Sequence, residues 1–271
     1  MEIVINVIRR FIKGANKNNI SVYAAGSAFY WILSIVPIVI VISNIIAFTG
    51  LTEEILLEAL IQFFPARAQK KLSVLVHFIY NNSMHMLPVA IFFAIWSAGR
   101  GMLAIMRGLN EINDIVEKRN YFKLRIISSF YMFILLFGLV FTLIIAVFGK
   151  RIWDMICMKL PLYKNVMRIG LKSRYILAIM ILSVIFTIIY TYVPNVKTSI
   201  KSQYIGGVLA AAGCTLFSYM FAFYVDHYND FSQYGSISII IILMLWLYIS
   251  IYIFLYGAYI VRFFTKEINC E

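Results

Sequence analysis

Arg100 and Arg107 stand seven residues apart in the stretch WSAGRGMLAIMRGLNEIND (96–114), and Asn110, Glu111 and Asp114 follow Arg107 at intervals of three, four and seven. At about 3.6 residues per turn, these spacings gather the five side chains on or beside one helix face. Two guanidinium groups on one face suit an anion, because each presents planar, permanently charged donors matched to phosphate or carboxylate. Other reactive chemistry is sparse. His77, His85 and His227 are scattered, the nearest approach to a metal-ligand set is Asp226, His227 and Asp230, and Cys157, Cys214 and Cys270 show no paired spacing. Metal-assisted phosphodiester cleavage needs clustered ligands, so neither a metal site nor a cofactor is expected.

The elements that must position these groups are set by composition. Of 271 residues, 62% are hydrophobic and 13% charged, and the mean hydropathy is +0.87. So few charges could not cover so much apolar side chain in water, and the expected partner is the lipid bilayer. The surplus of 24 Lys and Arg over 12 Asp and Glu then belongs to loops facing the cytoplasm and to anionic lipids, not to nucleic acid.

Residues 18 to 52 carry no charge, which exceeds the roughly 20 residues that cross a hydrocarbon core. The first span is placed at 25–48, and the second at 87–106, entered through Leu87 and Pro88. Four further apolar runs follow at 126–148, 175–193, 204–225 and 237–261, with Gly149, Pro194 and Gly235 as punctuation. Segments 1–19 and 51–86 alternate apolar and charged positions and read as amphipathic surface helices. In the first of these, Arg9, Arg10, Lys13 and Lys17 interrupt the apolar centre a signal peptide would need. The predicted fold is all-α: a polytopic membrane helix bundle of six transmembrane helices in a single domain, 1–271.

Six spans put both termini on one side. With that side cytoplasmic, the inner segments hold thirteen lysines and arginines and the outer ones ten, omitting Arg100; the rule weights short loops and the first span most. The outer 149–174 connection is itself basic and carries Trp153, Leu160, Leu162 and Tyr163. It reads either as a solvated loop or as a surface for anionic headgroups.

Inside the membrane, Gly206 with Ala210 and Gly207 with Ala211 form a small-residue stripe that favours close helix packing. Pro37 frees the carbonyl of Leu33, and Ser34, Ser43 and Asn44 could re-satisfy the backbone or line a polar path. The six spans contain no Asp or Glu, and Arg100 is the charge well within one. A central arginine costs about 2.5–3.5 kcal/mol to insert, and the eight Leu, Ile, Val and Phe residues of that span return about 0.3–0.6 kcal/mol each. Two accounts stay open: Arg107 pairs with Glu111 across one turn while Arg100 snorkels, or Arg100 faces a polar interior and receives an anion.

Four stretches together resemble the YihY, or virulence factor BrkB, family, formerly labelled ribonuclease BN. They are AAGSAFYWILSIVPIVI (24–40), SAGRGMLAIMRGLNEIND (97–114), YTYVPNVK (190–197) and QYGSISIIIILMLWLYISIYIFLYGAYI (233–260). The resemblance implies a multi-pass protein of the bacterial inner membrane with both termini cytoplasmic. It also implies an acidic residue in a GAEL-like ending, where this chain has Tyr259. The function expected is translocation of an anionic substrate, envelope lipid included, contacted by Arg100, Arg107, Asn110, Asn44 and Ser34. Pro37, Glu111, Asp114, Pro194, Gly206, Gly207 and Gly235 are expected to be structural. A non-transporting envelope scaffold and, third, a membrane-bound ribonuclease are the alternatives.

Overall fold

The structure, a computed structural model, describes residues 2–48, 87–136, 138, 174–195, 198–227 and 237–268, apart from side chains at some helix ends. Every regular element among them is a helix. In chain order they are α1 (Glu2–Lys17), α2 (Ile20–Phe48), α3 (Leu87–Ile112), α4 (121–136), α5 (Arg174–Tyr192), α6 (Ile200–His227) and α7 (Ile237–Ile268). The chain divides into two compact units, Tyr30–Ala98 and the remainder.

Four stretches among the described residues are long and apolar enough to cross a membrane: Ile20–Ile38, Leu87–Ile112, Ile200–Val225 and Ile240–Lys266. The apolar part of α5, Ile179–Tyr192, is shorter. The expected 126–148 span extends beyond the described residues, as do the segment 51–86, the connection 149–173 and Gly235. Side chains such as Phe130, Phe133, Leu216, Met220 and Phe223 point away from the protein. A water-facing surface would penalise such a display, whereas hydrocarbon accepts it.

Several helices outrun their expected bounds. α3 continues six residues past 106, to Ile112, because Arg107 and Glu111 are good helix formers and nothing before Asp114 stops them. There Asp114 adopts the left-handed conformation, φ 56°, which Asp tolerates better than most residues. The Asp114 N–H donates to the Glu111 carbonyl at 3.0 Å and the Ile115 N–H to the Asn110 carbonyl at 2.9 Å. These two bonds are a Schellman cap, and they turn the chain back along α3. Asn19, φ 48°, ends α1 in a similar way before α2 starts at Ile20.

In the larger unit, α6 packs between α5 and α7. A Cβ on Gly206 would meet the Gly257 carbonyl oxygen of α7 at 2.7 Å, and one on Gly207 would meet the Ser183 carbonyl oxygen of α5 at 2.9 Å. The small-residue stripe therefore lets α6 touch the backbones of both neighbours. Tyr190 is buried between them, its hydroxyl donating to the Phe254 carbonyl and its ring tilted against that of Phe254.

In the smaller unit α2 continues through Pro37. Ser34 is buried, and its hydroxyl donates to the Trp31 carbonyl at 2.7 Å, not to that of Leu33. Ser97 is likewise buried and donates to the Phe93 carbonyl at 2.6 Å. Both hydroxyls are used by their own helix, the usual outcome for serine within an apolar helix.

Candidate functional site

Arg100 is half-buried on α3, one residue after the buried Gly99. A Cβ on Gly99 would lie 2.6 Å from Ser129 Oγ and 3.6 Å from Arg125 Nη1, both on α4. Glycine thus admits α4 close to α3, and the Arg125 guanidinium comes beside the residue that precedes Arg100. Arg125 of α4 thereby lies against the Gly99 position of α3, one residue from Arg100 in sequence. Sequence spacing paired Arg100 with Arg107 instead.

Arg107 is exposed, as is Glu111, and they form no ion pair with each other among the described residues. The expected boundary pair is corrected on this point. Helical spacing makes it possible, but between two water-exposed side chains the attraction barely offsets the entropy of holding them together.

The network lies elsewhere. The Schellman turn after α3 brings Glu117 back to Asn110, which is buried, and Asn110 Nδ2 donates to Glu117 Oε2 at 2.8 Å. Asn110 Oδ1 in turn accepts the backbone N–H of Asn195 at 3.0 Å, and Asn195 Nδ2 reaches Glu117 Oε1 at 3.4 Å. Arg119 closes the cluster with Nε on Oε1 at 2.8 Å and Nη2 on Oε2 at 2.7 Å. This fork is the bidentate geometry in which a guanidinium holds a carboxylate best.

Pro194, buried, follows the end of α5 at Tyr192 and places Asn195. Tyr131 of α4 donates to the Tyr192 carbonyl at 2.8 Å, so α4 joins the same end. The side-chain hydrogen bonds of Arg119, over opposition from burial, hold the Glu117 carboxyl at about 2, well below the usual carboxylate range.

Asp114 faces the other way. Its Oδ2 lies 3.5 Å from Arg262 Nη2 and 3.3 Å from Lys266 Nζ, both on α7. At this end of α7 the Tyr259 hydroxyl donates to the Phe11 carbonyl of α1 at 2.8 Å. The position at which the resemblance led one to expect a carboxylate is a backbone anchor for α1.

A model of the virulence factor BrkB family matches residues 11–270. The chain belongs to that family. Relatives with BrkB-type sequences include ribonuclease-like protein YfkH of Bacillus subtilis (strain 168), 30% identical over 216 residues, which are 79% of this chain and 78% of that one. UPF0761 membrane protein NTHI0384 of Haemophilus influenzae (strain 86-028NP) is 28% identical over 256 residues, 92% and 91% of the two chains. No solved structure matches. The chain is thus a membrane protein of the BrkB type.

Two of the four stretches that carry the BrkB resemblance, 97–114 and 190–197, meet at the Asn110–Asn195 contact. Glu117, Arg119 and Asn195 are the residues sequence reasoning missed. The signal for Asn195 was present, since an Asn directly after Pro at a helix end has a freed backbone to offer. Of the other candidates, Gly206 and Gly207 are buried at helix crossings, and the Asn44 side chain and Asp230 lie outside the described residues. His227 stacks its ring on Phe223.

Proposed function

We propose that this BrkB-family protein crosses the bacterial inner membrane six times with both termini cytoplasmic, and translocates an anionic amphiphile of the envelope-lipid class. The observation that carries this reading is Arg100, half-buried within the apolar helix α3 one residue after the Gly99 position that Arg125 of α4 approaches. A guanidinium within an apolar span is a favoured contact for an anionic substrate group. With no carboxylate in the spans read from the sequence, coupling through an intramembrane acid has no group to use, and an anionic headgroup matches the arginine's charge and donor geometry. Arg107, Asn110 and the Glu117 cluster then frame the cytoplasmic end of the path.

Purified protein reconstituted into vesicles is expected to move a fluorescent phosphatidylglycerol between leaflets. Arg100→Leu should slow that movement by at least about tenfold, equivalent to roughly 1.4 kcal/mol of lost interaction. Unchanged flux in the variant removes Arg100 from the mechanism, and no flux in the wild type favours an envelope scaffold.

Topology has its own test. An impermeant thiol reagent applied to intact cells should label Cys157 and spare Cys270 and the buried Cys214. Labelling of Cys270 with Cys157 spared would invert the orientation.

A further inference from the structure

Helix α1 has two edges with different chemistry. On one edge Phe11 packs its ring against Tyr256, Tyr259 and Phe263 of α7, with centroids 6.1, 5.0 and 5.1 Å away. Its carbonyl accepts the Tyr259 hydroxyl. A Cβ on Gly14 would collide with that hydroxyl, and Ala15 is buried. This edge is fully occupied by protein.

The other edge is basic. Arg9, Lys13 and Lys17 recur every four residues, so at about 100° per residue they form one stripe along the helix. All three are exposed. Ile12, between the two edges, is 53% exposed. A docked protein edge, an uncovered isoleucine and a cationic stripe in succession around one helix match a helix lying in a membrane interface, where isoleucine enters the acyl boundary and lysine and arginine meet phosphates.

We infer that α1 is a platform for anionic phospholipid headgroups, bound along Arg9, Lys13 and Lys17 while Phe11 and Gly14 keep the helix docked on α7. A soluble acidic protein would suit the stripe's charge, but the bare Ile12 beside it favours a bilayer. The site works without any transport step, so its failure and that of the translocation reading are separately visible.

The test uses the full chain in a neutral detergent, offered short-chain phosphatidylglycerol or phosphatidylcholine, with retained lipid counted by native mass spectrometry. Wild type should retain phosphatidylglycerol in preference to phosphatidylcholine. The triple variant Arg9→Gln, Lys13→Gln, Lys17→Gln should retain at least about tenfold less phosphatidylglycerol, with phosphatidylcholine unchanged. Arg9→Lys, which keeps the charge, should bind as wild type does. The proposal is overturned if the triple variant retains as much phosphatidylglycerol as wild type, or if Lys118→Gln with Lys123→Gln, which leaves the α1 stripe intact, costs as much. Complete displacement of the lipid by millimolar inorganic phosphate would also overturn it, because a free phosphate site is not a bilayer platform.

Discussion

Gly207→Leu protein is expected to unfold roughly 6–12 °C below wild type in detergent, a loss of about 3 kcal/mol in a chain of this size. The size of the effect follows from what a side chain would meet. A Cβ at 207 overlaps Thr187 Oγ1 and lies 2.9 Å from the Ser183 carbonyl oxygen and 3.1 Å from the Thr187 nitrogen. Backbone atoms of α5 cannot step aside, so α6 must move away. Between helices in lipid, close packing is most of the attraction, and burial of apolar area returns little for a contact that is lost.

The alanine variants separate this account from intrinsic propensity. Helix preference alone would stabilise Gly207→Ala by about 0.8–1 kcal/mol. The crossing predicts the opposite sign. At Gly213 a Cβ would meet the Cγ2 methyl of Ile253 at 2.9 Å, a single side-chain contact with no backbone atom behind it, so Gly213→Ala should cost less than Gly207→Ala. Equal midpoints for Gly207→Ala and Gly213→Ala would show that the α5–α6 crossing is not limiting.

Glu117→Ala should cost about 2–3 kcal/mol, somewhat less than the loss of one partner from a fully buried ion pair. The side chains of Arg119 and Glu117 are 16% and 19% exposed, so water reaches the cluster only partly. Removing the carboxylate leaves the Arg119 fork and Asn110 Nδ2 without their acceptor. Glu117→Gln keeps the shape and should lose less.

The pH dependence has a definite sign. A carboxyl held at about 2 against an ordinary 4.5 contributes stability that is fully present above the unfolded value and disappears as pH falls from 4.5 through 2. Wild type and Glu117→Gln should therefore differ in unfolding midpoint at neutral pH and converge near pH 2. A constant gap across that range would mean the ionised carboxylate is not what holds Asn110 and Arg119.

Much of the helical layout was legible because its cause is local. Apolar runs at 87–106 and 204–225 predict α3 and α6, and the spacing of Gly206 with Ala210 and Gly207 with Ala211 marks a close-packing face without knowledge of its neighbour. What lay across that face, the carbonyls of Gly257 and Ser183, was not readable, since periodicity says which side of a helix is smooth and not which helix meets it. The cluster was harder still. Glu117 sits among Lys118, Arg119 and Lys123 and resembles ordinary boundary charge, and its partner Asn195 is 78 residues away. Local spacing favoured Arg107 with Glu111, a pair that water makes weak. Asp114's left-handed turn, which no periodic pattern encodes, decides that Glu117 returns to Asn110.

The bond from Tyr259 to Phe11 spans 248 residues of sequence. During synthesis α1 leaves the ribosome well before its docking face on α7. At about 5–20 residues per second, α1 waits roughly 12–50 s for its partner. Its aromatic edge lacks the α7 partner for that interval, and a membrane surface can shelter it. Assembly must then bring α1 and α7 together across that separation, so a nascent chain stalled before α7 would carry the earlier described helices and lack this contact.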